Sequence, residues 1–302
     1  MNSCVAIGET VFDIIFQKGQ PVAAAAGGSM LNTAVSLGRS GIITAMITEL
    51  GDDRVGHMVI DFLKENGVST SFIKPLQGFK TPVSLAFLDN QGNANYSFYK
   101  NYPEDRLNIN WPVVKQGDVV LFGSFYSLGK EIREKLIPFI KKAKSNGGLI
   151  VYDPNIRKNH IEEIRKLILQ VEENISLADI VRGSDEDFTN LFNMDNSLEI
   201  FDRTKAMGCR NLIITRGKQG AELLTEKFQI HVAAKNIEVK STIGAGDAFN
   251  AGIIQKIILN GLIVEDLVHI NLQSWKELLD NGINFAAEVC GSYDNYISDR
   301  RF

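Results

Sequence analysis

The sequence predicts an α/β protein: a doubly wound, mostly parallel sheet with helices on both faces and a small β-sheet lid. Three observations support this fold class. The 302 residues are enough for one large domain with a sizeable core. The hydrophobic share of 44% and the charged share of 23% are typical of a globular protein and exclude disordered and fibrous classes. Short apolar runs alternate with amphipathic ones along the chain. We therefore expect a single α/β domain over residues 1–302.

The βα units begin with a strand over 42–47 and a helix over 54–66. Apolar residues in that helix recur at i, i+3, i+4 and i+7, which predicts one buried face, and Gly67 supplies a left-handed stop. The same reading predicts the remaining units in order: a strand over 119–122, a helix over 130–146, a strand over 149–153, a helix over 161–171, and strands over 180–182 and 212–215.

Two extended segments, about 11–22 and 82–102, are not followed by helices, and we expect them to form the lid. The second is predicted to be a hairpin of strands 83–88 and 95–99 that turns through Asn90-Gln91-Gly92. Because Val83, Leu85 and Phe87 alternate, with Tyr96 and Phe98 on the return strand, one face of the hairpin is expected to be apolar. That face must pack on its own domain, on a closed substrate or on a second copy of the chain.

Charge and cysteine content narrow the classes of partner and location. With 32 Lys and Arg against 36 Asp and Glu, the formal charge is −4 and there is no basic block, which argues against nucleic-acid and membrane-surface partners. No apolar run is long enough to span a membrane, and residues 1–16 do not resemble a signal peptide. The widely spaced Cys4, Cys209 and Cys290 suit reduced thiols, so we expect a cytoplasmic protein.

The segment 241–249 predicts an anion site. Gly244, Ala245 and Gly246 precede an apolar helix, where bare backbone N–H groups and the helix dipole both favour negative charge. We call these three residues the anion cradle. Asp247, in the first turn, could accept a proton from a substrate hydroxyl beside the bound anion. The alternative is a tight strand-to-helix connection in which Asp247 is only an N-cap.

The segment 26–41 predicts a site for a polyhydroxylated ligand. Gly27 and Gly28 permit close approach of the backbone, and Ser29 can cap the following helix. Asn32 lies one turn further on, and its amide can both donate to and accept from hydroxyl groups. The alternative is an ordinary capped helix whose Asn32 faces water.

Together these two segments resemble the ribokinase/PfkB family of carbohydrate kinases. The family's N-terminal signature is matched over 27–41 and its C-terminal Gly-Ala-Gly-Asp-x-Phe signature over 244–249. Further matches, within a resemblance that runs from about residue 5 to about 291, are Gly8-Glu9 with Asp13, Gly51-Asp52-Asp53-x-x-Gly56, Asp153-Pro154-Asn155-x-Arg157 and Thr215-Arg216-Gly217-Lys218-x-Gly220-Ala221. The first and third of these look most like the fructokinase and 2-keto-3-deoxygluconate kinase branch.

The resemblance implies a ribokinase-like fold and ATP-dependent phosphorylation of a sugar hydroxyl, with fructose as the leading substrate. It also implies a homodimer formed through the lids. Asp247 would be the general base, and the N–H groups of the anion cradle would stabilise the transferring phosphoryl group. The other implied positions are Asp13, Gly28 and Asn32 for the sugar hydroxyls, Asn155 and Arg157 where substrate and phosphates meet, and Thr215, Gly217 and Gly220 for the nucleotide.

Two departures from the family pattern concern metal ions. The family usually has Asp where this chain has Ser241, and that Asp helps bind a monovalent cation, so the implication of K⁺ activation is weakened. The family's Asn-x-x-Glu element, linked to Mg²⁺ through water, appears here as Ser184-Asp185-Glu186-Asp187, which leaves Asp187 as the candidate carboxylate. Mg²⁺ is expected in any case because the triphosphate of ATP requires it.

Two rival functions stay open on the sequence. A nucleoside kinase of the same fold would need an aromatic pocket for a base, which Phe98, Tyr99 and Tyr102 could provide. A non-catalytic, sugar-binding regulatory protein would keep the fold without turnover. The intact Asp247 and anion cradle argue against the second rival.

Overall fold

The computed structural model describes residues 1–88, 94–156 and 161–300, and its main feature is a nine-stranded sheet. The thirteen strands of the described chain are β1 Cys4–Ile7, β2 Val11–Gln17, β3 Gln20–Gly27, β4 Thr44–Ile47, β5 Val68–Ser69, β6 Val83–Leu88, β7 Ala94–Tyr99, β8 Val119–Gly123, β9 Leu149–Asp153, β10 Ile180–Ser184, β11 Asn211–Thr215, β12 Ala221–Thr225 and β13 Gln229–Val232. The main sheet has the order β13-β12-β11-β10-β9-β8-β1-β4-β5. Its pairs are parallel from β5 to β11, and β12 and β13 add antiparallel pairs at one edge.

Helices cover both faces of this sheet. They are α1 Ser29–Arg39, α2 Arg54–Glu65, α3 Lys130–Ser145, α4 Ile161–Lys166, α5 Ile168–Leu177, α6 Asp185–Phe192, α7 Ser197–Ala206, α8 Ala245–Leu259 and α9 Leu272–Cys290. The first two and last two pack on one face, and the central five pack on the other. Among the described residues, no helix is long and apolar enough to cross a membrane. The predicted doubly wound, mostly parallel α/β fold is confirmed.

The strand sequences explain why both faces are covered. In β8, Val119 and Leu121 point into the core under α1 and α8, while Val120 and Phe122 point into the core under α3. The β8 strand therefore has no polar side chain and is buried at every position rather than at alternate ones, as expected for a parallel strand covered on both sides. Because the strands from β5 to β11 in the sheet order are parallel, their carboxyl ends lie side by side, and we call this end of the strands the carboxyl edge of the main sheet.

Several element boundaries differ from the sequence prediction. The predicted helix over 161–171 is two helices, because the chain tightens at Leu167, whose N–H donates to the Ile164 carbonyl three residues back. The first predicted strand begins at Thr44 rather than 42, since Gly41 and Ile42 still donate to the end of α1. The hairpin turn at residues 90–92 lies outside the described residues.

A second sheet of four strands, β3-β2-β6-β7, lies apart from the main sheet and corresponds to the expected lid. Its β3 strand continues through the alanine run to Gly27, beyond the predicted extended segment. Its apolar face also differs from the prediction. Phe98 pairs with Ser84, whereas Phe87 pairs with Phe16, so Phe98 and Phe87 lie on opposite faces of the pleat.

The side chain of Asp53 ties this second sheet to α2. Asp53 is the N-cap of α2 and accepts the Gly56 N–H at 2.9 Å. It also accepts the Thr81 backbone N–H at 3.0 Å and the Thr81 hydroxyl at 2.8 Å, immediately before β6 begins. The Asp53 carboxylate therefore accepts hydrogen bonds both from the first turn of α2 and from Thr81, which precedes β6.

We expect Asp53→Ala to lower the free energy of unfolding by about 1–2 kcal/mol, the usual effect of losing an N-cap. Asp53→Asn, which keeps an acceptor oxygen, should cost less. Urea unfolding followed by circular dichroism measures both. Asp61→Ala, on the exposed side of the same helix, is the matched control. An Asp53→Ala protein as stable as this control would contradict the assigned anchor.

Candidate active site

The first turn of α8 forms the centre of the candidate site at the carboxyl edge of the main sheet. Gly244 is the N-cap and has a left-handed φ of 79°, and a Cβ added to it would lie 2.4 Å from the Asn295 carbonyl oxygen. Only glycine fits this position. The first intrahelical bond runs from Ala248 N–H to the Gly244 carbonyl at 2.8 Å, so the N–H groups of Gly246 and Asp247 have no acceptor within the helix. Ala245 N–H donates to the Thr242 carbonyl at 3.3 Å.

The carboxylate of Asp247 connects α8 to α1. Its Oδ1 accepts the Ser29 hydroxyl at 2.6 Å and its Oδ2 accepts the Asn32 side-chain N–H at 2.8 Å. The Thr33 hydroxyl donates to the Asp247 backbone carbonyl at 3.0 Å. The prediction that Ser29 caps α1 is wrong, because Gly28 is the N-cap and Ser29 bonds to Asp247 instead. Both alternatives are wrong as well: Asn32 is buried and does not face water, and Gly244 rather than Asp247 caps α8.

The environment of Asp247 suits a proton acceptor. Removal from water raises the pKa of its carboxyl to about 6, and the nearby Asp153 carboxylate adds to this rise. Hydrogen bonds from Ser29 and Asn32 and the positive charge of Arg182 oppose it. A carboxyl with a pKa near 6 is ionised at neutral pH and is still a better base than an ordinary aspartate.

The junction between β3 and α1 requires two glycines. A Cβ on Gly27 would lie 2.2 Å from Oδ2 of Asp13, and one on Gly28, where φ is 131°, would lie 2.4 Å from the Glu9 carbonyl oxygen. Asp13 therefore lies against this junction, and the Ser84 hydroxyl of the neighbouring strand donates to its Oδ1. The structure thus brings the predicted positions Asp13, Gly28 and Asn32 to one end of α1.

A buried ionic cluster lies behind the first turn of α8. Arg182, in the middle of β10, donates to Asp153 Oδ2 at 2.9 Å and to the Thr215 hydroxyl at 2.7 Å. The Asn250 side chain of α8 donates to the same Asp153 oxygen at 2.5 Å. The cluster therefore joins the carboxyl ends of β9, β10 and β11 to α8, and Thr215 is its predicted member.

The Asn155 turn is held by two carboxylates. Asp153 Oδ1 accepts the Asn155 N–H at 3.0 Å, and Asp187 Oδ1 accepts the Ile156 N–H at 2.5 Å. Asn155 has a left-handed φ of 43°, which is uncommon for a residue other than glycine. The other Asp187 oxygen closes a capping box with Ser184. Arg157, predicted beside Asn155, lies outside the described residues.

The described residues do not supply a metal centre of their own. They contain no group of three or more His, Cys, Asp or Glu side chains that could hold a metal ion. Both oxygens of Asp187 already accept protein donors, and burial together with the Asp153 charge raises its pKa. The water-mediated role of Asp187 towards Mg²⁺ stays a prediction.

The predicted nucleotide positions beyond Thr215 lie in the turn between β11 and β12. Gly217 and Gly220 both have positive φ angles, of 51° and 99°. A Cβ on Gly220 would lie 2.0 Å from the Val232 carbonyl oxygen, whereas Gly217 has open space around its Cα. The turn is closed by Arg216 N–H donating to the Gly220 carbonyl at 2.8 Å.

Sequence reasoning missed three members of the site: Ser29 as a partner of Asp247, Arg182 and Asn250. A signal was present for two of them. Arg182 is a cation inside a short buried strand, and Asn250 is an amide between apolar residues of α8, and both patterns indicate buried polar contacts. Ser29 gave no such signal, because a serine after Gly-Gly reads equally well as a cap.

The fold therefore places a carboxylate of raised pKa beside the N-terminus of a helix, at the carboxyl edge of a mostly parallel α/β sheet. The chain matches the family described as "pfkB family carbohydrate kinase" over residues 1–296. It therefore belongs to the pfkB family of carbohydrate kinases and is an ATP-dependent carbohydrate kinase, as the two sequence signatures implied.

Similar proteins include curated fructokinases. The chain is 30% identical over 253 residues to "Probable fructokinase-4" of Arabidopsis thaliana, covering 80% of this chain and 76% of that protein. It is 28% identical over 254 residues to "Fructokinase-2" of Solanum lycopersicum, covering 80% and 75%.

Solved structures share the fold. A fructokinase from Vibrio cholerae O395 in its fructose, ADP and calcium ion bound form has a TM-score of 0.83 and 21% identity, covering 98% of this chain and 94% of that one. Aminoimidazole riboside kinase from Salmonella enterica, complexed with aminoimidazole riboside and an ATP analog, has a TM-score of 0.81 and 22% identity, covering 96% and 94%.

The pKa of Asp247 predicts how activity depends on pH. A base works only when it is deprotonated, so kcat/KM should be constant above about pH 7 and fall towards tenfold per unit below about pH 6. A coupled assay between pH 5 and 9, with the coupling enzymes in excess at each pH, measures the profile. A profile flat down to pH 5 would contradict the assignment of Asp247.

Proposed function

We propose that this kinase phosphorylates a hydroxyl of fructose or of a closely related sugar. The observation that carries the proposal is Asn32. This side chain is only 5% exposed, its N–H holds Asp247, and its Oδ1 has no hydrogen-bond partner among the described residues. A buried acceptor without a partner costs about 1–3 kcal/mol, and a sugar hydroxyl beside Asp247 would supply the missing donor. The fructokinase relatives support fructose as the first substrate to test.

In the proposed reaction Asp247 removes the proton from the sugar hydroxyl as the hydroxyl oxygen attacks the γ-phosphorus of ATP. A bond forms between that oxygen and phosphorus, the bond from phosphorus to the β–γ bridging oxygen breaks, and ADP leaves. The anion cradle supplies backbone N–H groups and the positive end of the α8 dipole to the transferring group. Asp13 and Asn32 orient the sugar, while Thr215, Gly217 and Gly220 lie on the nucleotide side.

Mg²⁺ enters this proposal with the triphosphate, whose charge it neutralises. Asp187 contributes by holding the Asn155 turn, through the Ile156 N–H. Ser241 stands where the family usually has the Asp that helps bind a monovalent cation, and its hydroxyl accepts the Ile243 N–H at 3.2 Å. Because no carboxylate is present at this position, the proposal includes no activation by K⁺.

The aromatic residues available to a nucleoside base favour the sugar over the nucleoside reading. The Arg106 guanidinium lies 3.6 Å from the ring centre of Tyr102, and the Tyr102 hydroxyl donates to Glu9 at 2.8 Å. The Lys100 ammonium lies 4.7 Å from the ring centre of Phe98. A cation therefore lies over one face of two of the three rings on which a base could stack, whereas Tyr99 is 62% exposed.

An ADP-release assay with Mg-ATP over a panel of hexoses, pentoses, 2-keto-3-deoxy acids and nucleosides tests the substrate class. We expect turnover with fructose, and a fall in kcat of about 10²–10⁴ in Asp247→Asn with ATP affinity nearly unchanged, the usual loss for a general base. Asp202→Asn, on the exposed side of α7, is the charge-matched control.

Three outcomes would count against the proposal. Turnover with nucleosides alone would assign the enzyme to the nucleoside kinases. Calorimetric binding of a sugar with no ADP formed would favour the regulatory protein. An Asp247→Asn variant that keeps more than half of the activity would remove Asp247 as the base.

We also propose that the chain forms a homodimer through the second sheet. Because paired residues share a face, Phe12, Phe16, Val83 and Phe87 lie on one face of this sheet. Phe12 packs against the main core, while Phe87 is 42% exposed and stacks on Phe16 with ring centres 5.1 Å apart. The neighbouring edge strand β3 is exposed from Gln20 to Ala25. A second copy of the same sheet would cover this surface around a two-fold axis.

We expect Phe87→Asp to convert a dimer into a monomer, because a carboxylate cannot be buried against a second apolar face. Light scattering after size-exclusion chromatography at micromolar concentration measures the mass. Leu169→Asp, at a more exposed apolar position on α5, should leave the mass unchanged. A wild-type monomer, or a dimer that persists in Phe87→Asp, would refute this assembly and would not affect the kinase assignment.

A further inference from the structure

Arg182 is a buried cation directly beneath the first turn of α8. It is the third of the five residues of β10 and is 7% exposed. A Cβ added to Gly246 would lie 2.8 Å from Nη1 and 2.9 Å from Nη2 of this guanidinium. Because Gly246 has no side chain, the Arg182 guanidinium fits against its backbone. The positive charge therefore lies next to the residue that precedes Asp247.

The guanidinium uses two nitrogens on two different partners. Nη1 donates to Asp153 and Nη2 to Thr215, on the strands either side of β10. A lysine ammonium is a single point charge and cannot span two acceptors in the same planar geometry. Arg182 therefore fixes the carboxyl ends of three neighbouring strands relative to α8.

The charges that act on Asp247 come from two elements. Asp153 on β9 contributes a negative charge and Arg182 on β10 a positive one. α1 faces Asp247 with the neutral side chains Ser29 and Asn32. α9 meets α8 further along, where Asn281 and Gly282 approach Gly252. Asp153 raises the pKa of Asp247, and Arg182 lowers it.

We infer that Arg182 is a positioning residue for phosphoryl transfer: its guanidinium balances the buried Asp153 and keeps the α8 N-terminus electropositive next to Asp247. This inference rests on the proposed role of Asp247 as the base. Arg182 acts through Asp153, Thr215 and the electrostatic field at Asp247. Its removal should therefore change the protonation of Asp247 as well as the stability of the strand ends.

The experiment compares pH profiles of kcat/KM for Arg182→Met, Asp153→Asn and the double variant. The acid limb is the part of the profile where kcat/KM falls at low pH. Removing the cation should move this limb to higher pH by about 1 unit, since an opposite charge nearby favours the ionised carboxyl. Removing the Asp153 charge should move it down. The double variant, which loses both charges, should return towards the wild-type limb. Arg182→Lys keeps the charge and should lower kcat without moving the limb.

Arg210→Met, at an exposed cation that precedes β11, is the control and should leave the limb unchanged. A purely structural role would lower the melting temperature in the Arg182 and Asp153 variants with no opposite shifts of the limb, and that result would overturn the inference. If Arg182→Met does not fold, Asp153→Asn alone tests the inference. An acid limb that stays in place or moves to higher pH in that variant would overturn it.

Failure of the proposed function is a separate result. It would show as a wild-type protein inactive on every sugar, or as an active Asp247→Asn. A wild-type sugar kinase that needs Asp247 but whose acid limb ignores both charges would refute the role of Arg182 alone.

Discussion

The hydrogen bonds that Asp247 accepts from Ser29 and Asn32 are the interaction on which the site depends. They join residues more than 200 positions apart in the chain and fix the first turns of two helices relative to each other. The helices meet because α1, which follows β3, and α8, which follows the segment after β13, pack in the same core on one face of the main sheet. Gly28 and Gly244 are the N-caps of these helices, and each leaves room for a nearby carbonyl oxygen, that of Glu9 and that of Asn295.

Buried charge is the second constraint, and it extends across three strands. Asp153 is fully buried and accepts Arg182, Asn250 and a backbone N–H, so each of its oxygens is satisfied. Such a network is stable only when it is complete, since an unpaired buried charge is costly. The α8 helix is therefore attached to the sheet by the hydrogen bond from Asn250 to Asp153 as well as by its apolar face.

The sequence was sufficient for what depends on local pattern. Hydrophobic periodicity located the βα units, such as 54–66 and 149–153, and the glycine signatures located both ends of the site. Long-range pairing could not be read in the same way. Three features depend on which strand or helix lies opposite: the face of the second sheet on which Phe98 lies, the bond from Ser29 to Asp247, and the cluster around Arg182. No local spacing in the sequence encodes that register. The break at Leu167 depends on packing, which overrides a continuous helical period.

The resting state of Asp247 has a consequence for side reactions. Each carboxylate oxygen accepts one protein donor and keeps a further lone pair, so Ser29 and Asn32 restrict the direction from which a hydroxyl can donate to Asp247 without blocking it. In the proposed complex a polyol held at Asn32 and Asp13 places one of its hydroxyls in that direction. A water molecule has no second hydroxyl through which it could be held in the same way. With Asp247 as the base, this geometry disfavours futile hydrolysis of ATP in the absence of sugar.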